Sequence, residues 1–246
     1  MASADTIHLY AAGSLREALT DVVDAFVADT RHKVETKYGP SGLLKDEIAN
    51  GATAGVFASA NMEHPRALER LKKSGPVICF ARNTLCALVR PGLNVTSENL
   101  LDRMLDPAIA LGTSTPIADP SGDYAFVVFA RTEMIMRGAR DTLERKALQL
   151  TGATTSAAAP RGRNVYGWHI AEGHADIFLT YCTNALAATR QYPGQQSVRL
   201  PDALAVAADY GLTVIKGAPA AARAFAQFML SHQAQDILAR HGFAPA

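Results

Sequence analysis

The sequence predicts an α/β protein built from two small lobes, each a mostly parallel sheet flanked by helices. Short apolar segments alternate along the chain with segments of helical periodicity. Strands that alternate with helices pair in parallel, because each helix carries the chain back across the sheet. The chain has 246 residues, more than one typical domain of ~150 residues, and lacks the eight regular units of a barrel. Two doubly wound lobes therefore fit the pattern better than a barrel.

The first part of the chain contains three strand and helix units. Strands are predicted at residues 7–12, 32–38 and 56–59. Ser14-Leu15-Arg16-Glu17 has the Ser-x-x-Glu form of a capping box, so the first helix is expected to begin at Ser14. Pro40-Ser41-Gly42 turns the chain into a second helix with Leu44 and Ile48 on one face, and Pro65 suits the first turn of a third.

The same alternation continues through the rest of the chain. Further strands are predicted at residues 85–89, 109–112, 176–181 and 210–215. Asp119-Pro120-Ser121-Gly122 leads into a helix that reaches about Met136, and Asn164 is expected to cap a helix over residues 165–173. Residues 151–160 are predicted as a strand end and a loop. Pro219 opens a terminal helix that breaks near Ser231.

Composition and charge exclude several classes of protein. Hydrophobic residues make up 48% and charged residues 19%, as in ordinary globular proteins. Lys and Arg number 24 against 23 for Asp and Glu, so the chain offers no electrostatic field for a phosphate backbone or an anionic bilayer. Nucleic-acid binding is therefore not expected. No apolar run approaches the ~20 residues that a membrane span needs.

The cysteines and histidines suggest neither a disulfide framework nor a metal site. Cys79, Cys86 and Cys182 are widely spaced in apolar surroundings, and an odd count argues for three buried thiols. His169 and His174 are five residues apart, a spacing that does not place both on one helix face. Phosphate-loop, dinucleotide, zinc-protease and Gly-x-Ser-x-Gly motifs are absent from the sequence.

Four turns share small or hydroxyl-bearing residues at the start of a helix. They are Gly13-Ser14, Pro40-Ser41-Gly42, Pro120-Ser121-Gly122 and Gly162-Arg163-Asn164-Val165. A helix N-terminus presents unpaired N–H groups and the positive end of the helix dipole, and both favour an anion. The simpler interpretation is that Ser and Asn only cap these helices.

Five segments in this order resemble the periplasmic molybdate-binding proteins of ABC transporters, which have the type II solute-binding fold. The first two contain Ala11-Ala12-Gly13-Ser14-Leu15 and Gly39-Pro40-Ser41-Gly42-Leu43. The others are Val56-Phe57-Ala58-Ser59-Ala60, Asp119-Pro120-Ser121-Gly122-Asp123-Tyr124-Ala125, and a run from Asn164-Val165 through Gly173-His174-Ala175-Asp176 to Tyr181-Cys182-Thr183-Asn184-Ala185. The similarity extends over nearly the whole chain.

The resemblance implies a tetrahedral oxyanion, most simply molybdate or tungstate, held in a cleft between two lobes. The positions that match the family's ligands are Ser14, Ser41, Ser121 (usually Ala), Val165 through its N–H, and Tyr181, with Gly13, Asn164 and Arg163 as possible additional contacts. Such a site consists of donors, so a fully ionised dianion satisfies it better than a protonated phosphate.

The resemblance also implies the setting in which the chain works. Lobe one is expected over residues 5–82 and 199–246, and lobe two over residues 83–198. The expected protein is a periplasmic monomer, with its signal peptide already removed, that needs no cofactor and delivers its ligand to a membrane permease. It is expected to bind and release its ligand without catalysing a reaction.

Departures from the family pattern keep two alternatives open. Arg161 and Arg163 flank the fourth turn; if they face the cleft, the ligand is another anion such as sulfate, phosphate or a small organic acid. The second alternative is an enzyme on the same fold. Its only candidate groups are Cys182 beside Tyr181, or the carboxylate pair Asp119 and Asp123.

Overall fold

A computed structural model describes residues 6–30 and 32–246 and has the mixed α/β architecture that the sequence predicts. The strands are β1 (Thr6–Ala12), β2 (Lys33–Gly39), β3 (Val56–Ser59), β4 (Ile78–Val89), β5 (Leu111–Ser114), β6 (Leu148–Thr151), β7 (Ile177–Tyr181), β8 (Gln196–Arg199) and β9 (Ala207–Val214). The helices are α1 (Arg16–Thr30), α2 (Ser41–Ala49), α3 (Glu63–Arg70), α4 (Leu100–Leu105), α5 (Pro120–Thr132), α6 (Ala139–Lys146), α7 (Val165–Ala171), α8 (Cys182–Gln191), α9 (Ala220–Phe228) and α10 (His232–Arg240).

The chain divides into two compact units. The first unit contains the described residues up to Asn83 together with Ala208–Ala246, and the second is Thr84–Ala207. The chain returns to the first unit at Ala208, later than the expected residue 199. The reason is that β8 pairs with β4, and the short 3-10 turn Asp202–Leu204 packs on α5, so both belong to the second unit. Asp5, the expected start of lobe one, lies outside the described residues.

In the first unit the strands are ordered β2-β1-β3-β9. β1 runs parallel to β2 and β3. β9, which forms where the chain returns from the second unit, is antiparallel to β3. Leu19, Val22 and Phe26 recur at helical spacing on α1 and are buried. On α2 the predicted pair Leu44 and Ile48 is buried with Phe57 of β3. These packed faces fix the helices on the sheet.

In the second unit β4 is antiparallel to β7 and β8, and β5 is parallel to β7 and β6. Its core includes Leu88, Ile170 and Phe178. The expected mostly parallel sheet is therefore mixed. Asn164 caps α7 as predicted, because its Oδ1 accepts the Tyr166 N–H at 3.1 Å. The break at Ser231 is also confirmed, since its Oγ accepts the Ala234 N–H at the start of α10.

The first helix differs from its prediction. Gly13–Leu15 forms a 3-10 turn, and α1 begins at Arg16 rather than at Ser14. The Ser14 side chain makes no capping bond because it bonds to Tyr210 Oη at 2.9 Å. The capping-box prediction for Ser14 is therefore wrong.

Cys86 and Cys182 form a disulfide, so the prediction of three buried thiols is also wrong. Cys86 lies in β4 and Cys182 begins α8, 96 residues later, with 4.8 Å between their Cα atoms. The fold brings together two residues that their spacing along the chain does not relate. Cys79 is a free thiol. Within residues 6–30 and 32–246, every helix is too short or too polar to span a bilayer.

Candidate functional site

In the first unit, the two predicted serines lie at one edge of the sheet. Ala12 of β1 and Gly39 of β2 are register partners in a parallel pair, and each ends its strand. Ser14 and Ser41 follow these strand ends, so the turns that carry them leave the same edge. In open α/β sheets, ligands bind at this carboxyl edge. The local fold thus places both serines at the carboxyl edge of the first-unit sheet.

Ser14 belongs to a hydrogen-bond chain that the sequence did not reveal. Its Oγ lies 2.9 Å from Tyr210 Oη, and Asn83 Nδ2 donates to the same phenol oxygen at 3.3 Å. Asn83 and the Tyr210 ring are buried, whereas Ser14 is only partly buried. Tyr210 is 196 residues from Ser14. No local sequence pattern identifies a partner at that distance.

Ser41 is almost completely buried, with 1% of its surface exposed. It is the first residue of α2, and its Oγ accepts the Ala60 N–H at 3.1 Å. Ala60 follows β3, so this bond ties the turn before α2 to the end of a third strand. The hydroxyl proton of Ser41 is not used in that bond and can be donated to a ligand.

In the second unit, the predicted residues Ser121, Val165 and Tyr181 also lie at one edge of the sheet. β5 runs parallel to β7 and to β6. Ser121 follows β5, Asn164 and Val165 follow β6, and Tyr181 ends β7. All of them lie at or beyond the carboxyl ends of parallel strands. Ser121, Val165 and Tyr181 thus share the carboxyl edge of the parallel strands β5, β6 and β7.

In this group, the side-chain oxygen (Oγ) of Ser121 matters most for a ligand. The residue is fully buried, and its Oγ has no hydrogen-bond partner among the described residues. Its N–H donates to Asp119 Oδ1 at 3.1 Å, which makes Asp119 the cap of α5. The main-chain donor at this position is thus already used, and the hydroxyl is the group left for a ligand. A buried hydroxyl without a partner costs free energy in the empty protein.

Asp119 lies beside a cluster of buried hydroxyl groups. Ser114 Oγ is 2.8 Å from Thr151 Oγ1, and the Tyr166 phenol interacts with both. Burial raises the pKa of Asp119 to about 6, and burial together with the nearby Asp119 charge raises the pKa of Tyr166. Sequence reasoning treated Asp119 mainly as a partner of the helix dipole and did not find the cluster.

Tyr181 and the start of α7 complete the second group. The Tyr181 side chain is 1% exposed, and its ring packs edge-on against Tyr124 of α5 at 6.2 Å between centroids. Asn164 Oδ1 accepts hydrogen bonds from the N–H groups of Tyr166 and Gly167. Val165 is the first residue of α7, and its N–H lies outside that capping pair. Gly13, the other possible contact, is exposed at the start of the first-unit turn.

Of the charged residues near these groups, Arg163 and Asp123 have partners within the second unit, and Arg161 is exposed. The Arg163 guanidinium lies over the Tyr192 ring, 5.3 Å from its centroid, and both Arg161 and Arg163 are exposed. Asp123 Oδ1 accepts the Ile117 N–H at 2.7 Å. Cys182 is bonded to Cys86. Arg163, Asp123 and Cys182, on which the two alternative hypotheses relied, are thus engaged within the second unit.

His169 and His174 come closer together than their spacing suggested. His174 lies beyond the end of α7, and its Nδ1 is 3.1 Å from the Nδ1 of the buried His169. The two residues do not share a helix face, as predicted; they come together because His174 lies in the turn after α7. Among the described residues no cluster of three or more His, Cys, Asp or Glu side chains could hold a metal ion.

Comparison with known proteins places the chain among binding proteins. The profile of a family described as bacterial extracellular solute-binding protein matches residues 7–244. PM1146 of Pasteurella multocida is 35% identical over 207 residues, covering 84% of this chain and 86% of that protein. The molybdate-binding protein ModA of Mycobacterium bovis is 26% identical, covering 98% of this chain and 85% of that protein.

Two solved structures share the fold at low sequence identity. The periplasmic molybdate-binding protein of Azotobacter vinelandii has a TM-score of 0.79 and 20% identity, covering 98% of this chain and 99% of that one. The sulfate-binding protein SubI of Mycobacterium tuberculosis has a TM-score of 0.81 and 23% identity, covering 98% and 87%. Binders of two different oxyanions are thus built on the same architecture.

Proposed function

Because the chain belongs to the bacterial extracellular solute-binding protein family and has the fold of type II periplasmic binding proteins, we propose that it captures a tetrahedral oxyanion for an ABC importer. The proposed ligand is molybdate or tungstate. The proposed ligand residues are Ser14 and Ser41 in the first unit and Ser121, Val165 and Tyr181 in the second. The protein acts in the periplasm as a monomer and passes its ligand to a membrane permease.

The observation that carries this proposal is the buried, unpartnered hydroxyl of Ser121. It lies at the same sheet edge as the phenol-bearing Tyr181 and the start of α7. Hydroxyl and N–H groups donate hydrogen bonds to an anion. A ligand that accepts a hydrogen bond from the Ser121 hydroxyl removes the free-energy cost of burying that hydroxyl without a partner. The 26% identity to ModA over nearly the whole chain supports molybdate as the anion.

Sulfate is the second candidate, favoured by the TM-score of 0.81 to a sulfate-binding protein. Both anions are fully ionised at neutral pH and accept hydrogen bonds from every side. A donor-rich site distinguishes them by size alone. An organic anion receives less support, because Arg163 is stacked on Tyr192 and not held ready for a carboxylate.

The geometry supports a binding protein rather than an enzyme. Cys182 lacks a thiol that could act as a nucleophile, since it is in a disulfide. Asp119 caps α5, and Asp123 accepts the Ile117 N–H, so both carboxylates have structural tasks. The relatives that match the chain under a functional name bind molybdate.

The direct test is thermal unfolding with molybdate, tungstate, sulfate or phosphate at equal concentration. A ligand at ~100 times its Kd stabilises the folded state by about 2.7 kcal/mol. For a chain of this size that raises Tm by roughly 5–10 °C. We expect a shift of this size with molybdate and tungstate, and its reduction to about half or less in Ser41→Ala and in Tyr181→Phe, where the loss of one hydrogen bond weakens binding roughly 10- to 100-fold.

The panel also decides between the candidates. A shift with sulfate alone would replace molybdate by the second candidate. The absence of a shift with all four anions would reject the oxyanion proposal. The exposed Arg163→Ala serves as a matched control, because its side chain is stacked on Tyr192 and the proposal gives it no contact with the anion.

A further inference from the structure

The Cys86–Cys182 disulfide lies directly beside the proposed ligand Tyr181. Cys182 follows Tyr181 in the chain and is the first residue of α8. Cys86 is the register partner of Thr180, the residue before Tyr181, in the antiparallel β4–β7 pair. The disulfide therefore ties Cys182, the residue after Tyr181, to β4, the strand that pairs with Thr180, the residue before Tyr181.

This arrangement constrains three consecutive residues of the main chain. Thr180 and Tyr181 pair with Cys86 and Leu85 across the β4–β7 ladder, and Cys182 is bonded to Cys86 through sulfur. Tyr181 is the N-cap residue of α8, and its side chain makes no capping hydrogen bond. An uncapped helix start frays easily, because its first N–H groups lack partners within the helix. Here the disulfide at Cys182, the first helical residue, instead limits fraying by tying that residue to β4.

The Tyr181 side chain transmits any movement of this segment. The residue is 1% exposed, and the ring is packed edge-on against Tyr124 of α5. A ring enclosed in this way has few rotamers available, so the phenol oxygen moves when the main chain moves. Cys86 is itself buried in the apolar cluster with Leu88 and Phe178, so the other end of the disulfide is fixed.

We propose that the Cys86–Cys182 disulfide is a positioning device for Tyr181, holding the phenol where it donates to the bound oxyanion. The inference rests on the proposed function, since the position of Tyr181 affects affinity only when Tyr181 contacts the ligand. Opening the disulfide leaves the other donors in place and weakens binding through Tyr181.

The test is a double-mutant cycle on the Kd of molybdate, measured by titration calorimetry well below Tm. The four proteins are the wild type, Cys86→Ala/Cys182→Ala, Tyr181→Phe and the triple variant. Loss of one hydrogen bond to a charged ligand weakens binding roughly 10- to 100-fold. We expect a loss of this size in both the cysteine pair variant and Tyr181→Phe. The triple variant should bind within about twofold of Tyr181→Phe, because the two changes are coupled.

A second measurement follows Tyr181 without a ligand. 3-Fluorotyrosine placed at position 181 reports its surroundings by ¹⁹F NMR. Reducing the disulfide should shift or broaden this signal and leave the same label at Tyr210, in the first unit, unchanged. Cys79→Ala is the matched control for cysteine removal, since its thiol is free in the folded protein and the variant should keep the wild-type Kd.

Several results would overturn the inference. One is a Kd that stays within about twofold of wild type when the disulfide is removed. Another is that removing the disulfide weakens binding equally in the wild type and in Tyr181→Phe, which indicates a general effect on the fold. An unchanged fluorine signal at position 181 after reduction also contradicts it. If the wild type binds none of the anions, the proposed function itself fails, and this inference fails with it.

Discussion

The hydroxyl of Ser121 is buried without a partner among the described residues, and a polar group in that state costs about 1–3 kcal/mol. Ser121→Ala is therefore expected to leave the free energy of unfolding of the empty protein unchanged or to raise it. The same change should weaken molybdate binding at least tenfold, because the hydroxyl is the free donor at that position. Chemical denaturation and calorimetry measure the two effects separately.

A variant that loses stability while keeping its affinity would contradict this assignment. That result would show that the Ser121 hydroxyl has a structural role.

Asp119 should make the stability of the protein depend on pH. Burial raises its pKa from 3.8 to about 6, so the folded state binds the proton more tightly than the unfolded state. The stabilisation is complete below pH 4 and is lost as the pH rises through about 6. Relative to Asp119→Asn, the wild type should lose at most about 3 kcal/mol across this interval.

Urea unfolding of both proteins between pH 4 and pH 7 checks this difference. Asn also accepts a hydrogen bond at an N-cap, so the variant keeps the bond to the Ser121 N–H. Asp236→Asn, at an exposed aspartate, is the control for the chemical change itself. A pH-independent difference between wild type and Asp119→Asn would show that Asp119 titrates normally.

For single residues, the sequence predicted which side chains are candidates for the site but not which distant residues they bond to. The positions of Ser41 and Ser121 at helix starts follow from local turn chemistry, which a short window of sequence contains. The bond between Ser14 and Tyr210 spans 196 residues, and the disulfide spans 96. Such pairs depend on the packing of the whole unit, which a local pattern does not encode.

Among the elements, the start of α5 is the most tightly fitted to its surroundings. A Cβ added at Gly122 would lie 2.5 Å from the Ser114 carbonyl oxygen and 2.6 Å from the Pro116 nitrogen. These are main-chain atoms and do not rotate away. Gly122→Ala should therefore cost roughly 1–3 kcal/mol or more and displace Ser121 from its position.

Thermal unfolding and molybdate binding of Gly122→Ala measure this effect. Gly39→Ala is the matched control, because a Cβ there would meet only the Leu44 side chain at an ordinary 3.6 Å. Gly122 directly follows the candidate Ser121 in α5, and Gly39 ends β2 two residues before the candidate Ser41. Equal destabilisation of the two variants would show that the close contact at Gly122 does not limit the fold.

A short apolar run flanked by turn residues was the element predicted best. β3 has the predicted bounds, residues 56–59, because a short apolar run is flanked by turn residues on both sides. α8 was not predicted, since it begins in Cys182-Thr183-Asn184, whose side chains favour caps and turns over helix interiors. Its helical form is fixed by packing of Ala185 and Ala188 against the core of the second unit.

For the whole molecule, the two units differ in how the chain forms them. The second unit is continuous over Thr84–Ala207, whereas the sheet of the first unit needs β9 beside β3 and α10 against α1. A fragment of residues 84–207 should therefore fold alone and unfold cooperatively, and a fragment of residues 1–83 should not. Circular dichroism during heating distinguishes the two results.

Adding a fragment of residues 208–246 to the first fragment provides the control. Recovery of a cooperative transition in the mixture would confirm that the missing strand and helices are what the first fragment lacks. A cooperative transition of residues 1–83 alone would show that β1, β2 and β3 form a sufficient core.

The disulfide also affects how the protein reaches its native form. Three cysteines allow three different pairs, and if the chain is exported as the proposed function requires, Cys79 and Cys86 leave the translocation channel long before Cys182. An oxidant that acts in order of emergence joins Cys79 to Cys86, which is not the native pair. The chain then reaches its native state only after thiol–disulfide exchange moves the bond to Cys182. Cells without a disulfide isomerase should accumulate the misoxidised form, and Cys79→Ser should relieve that dependence by removing the competing thiol.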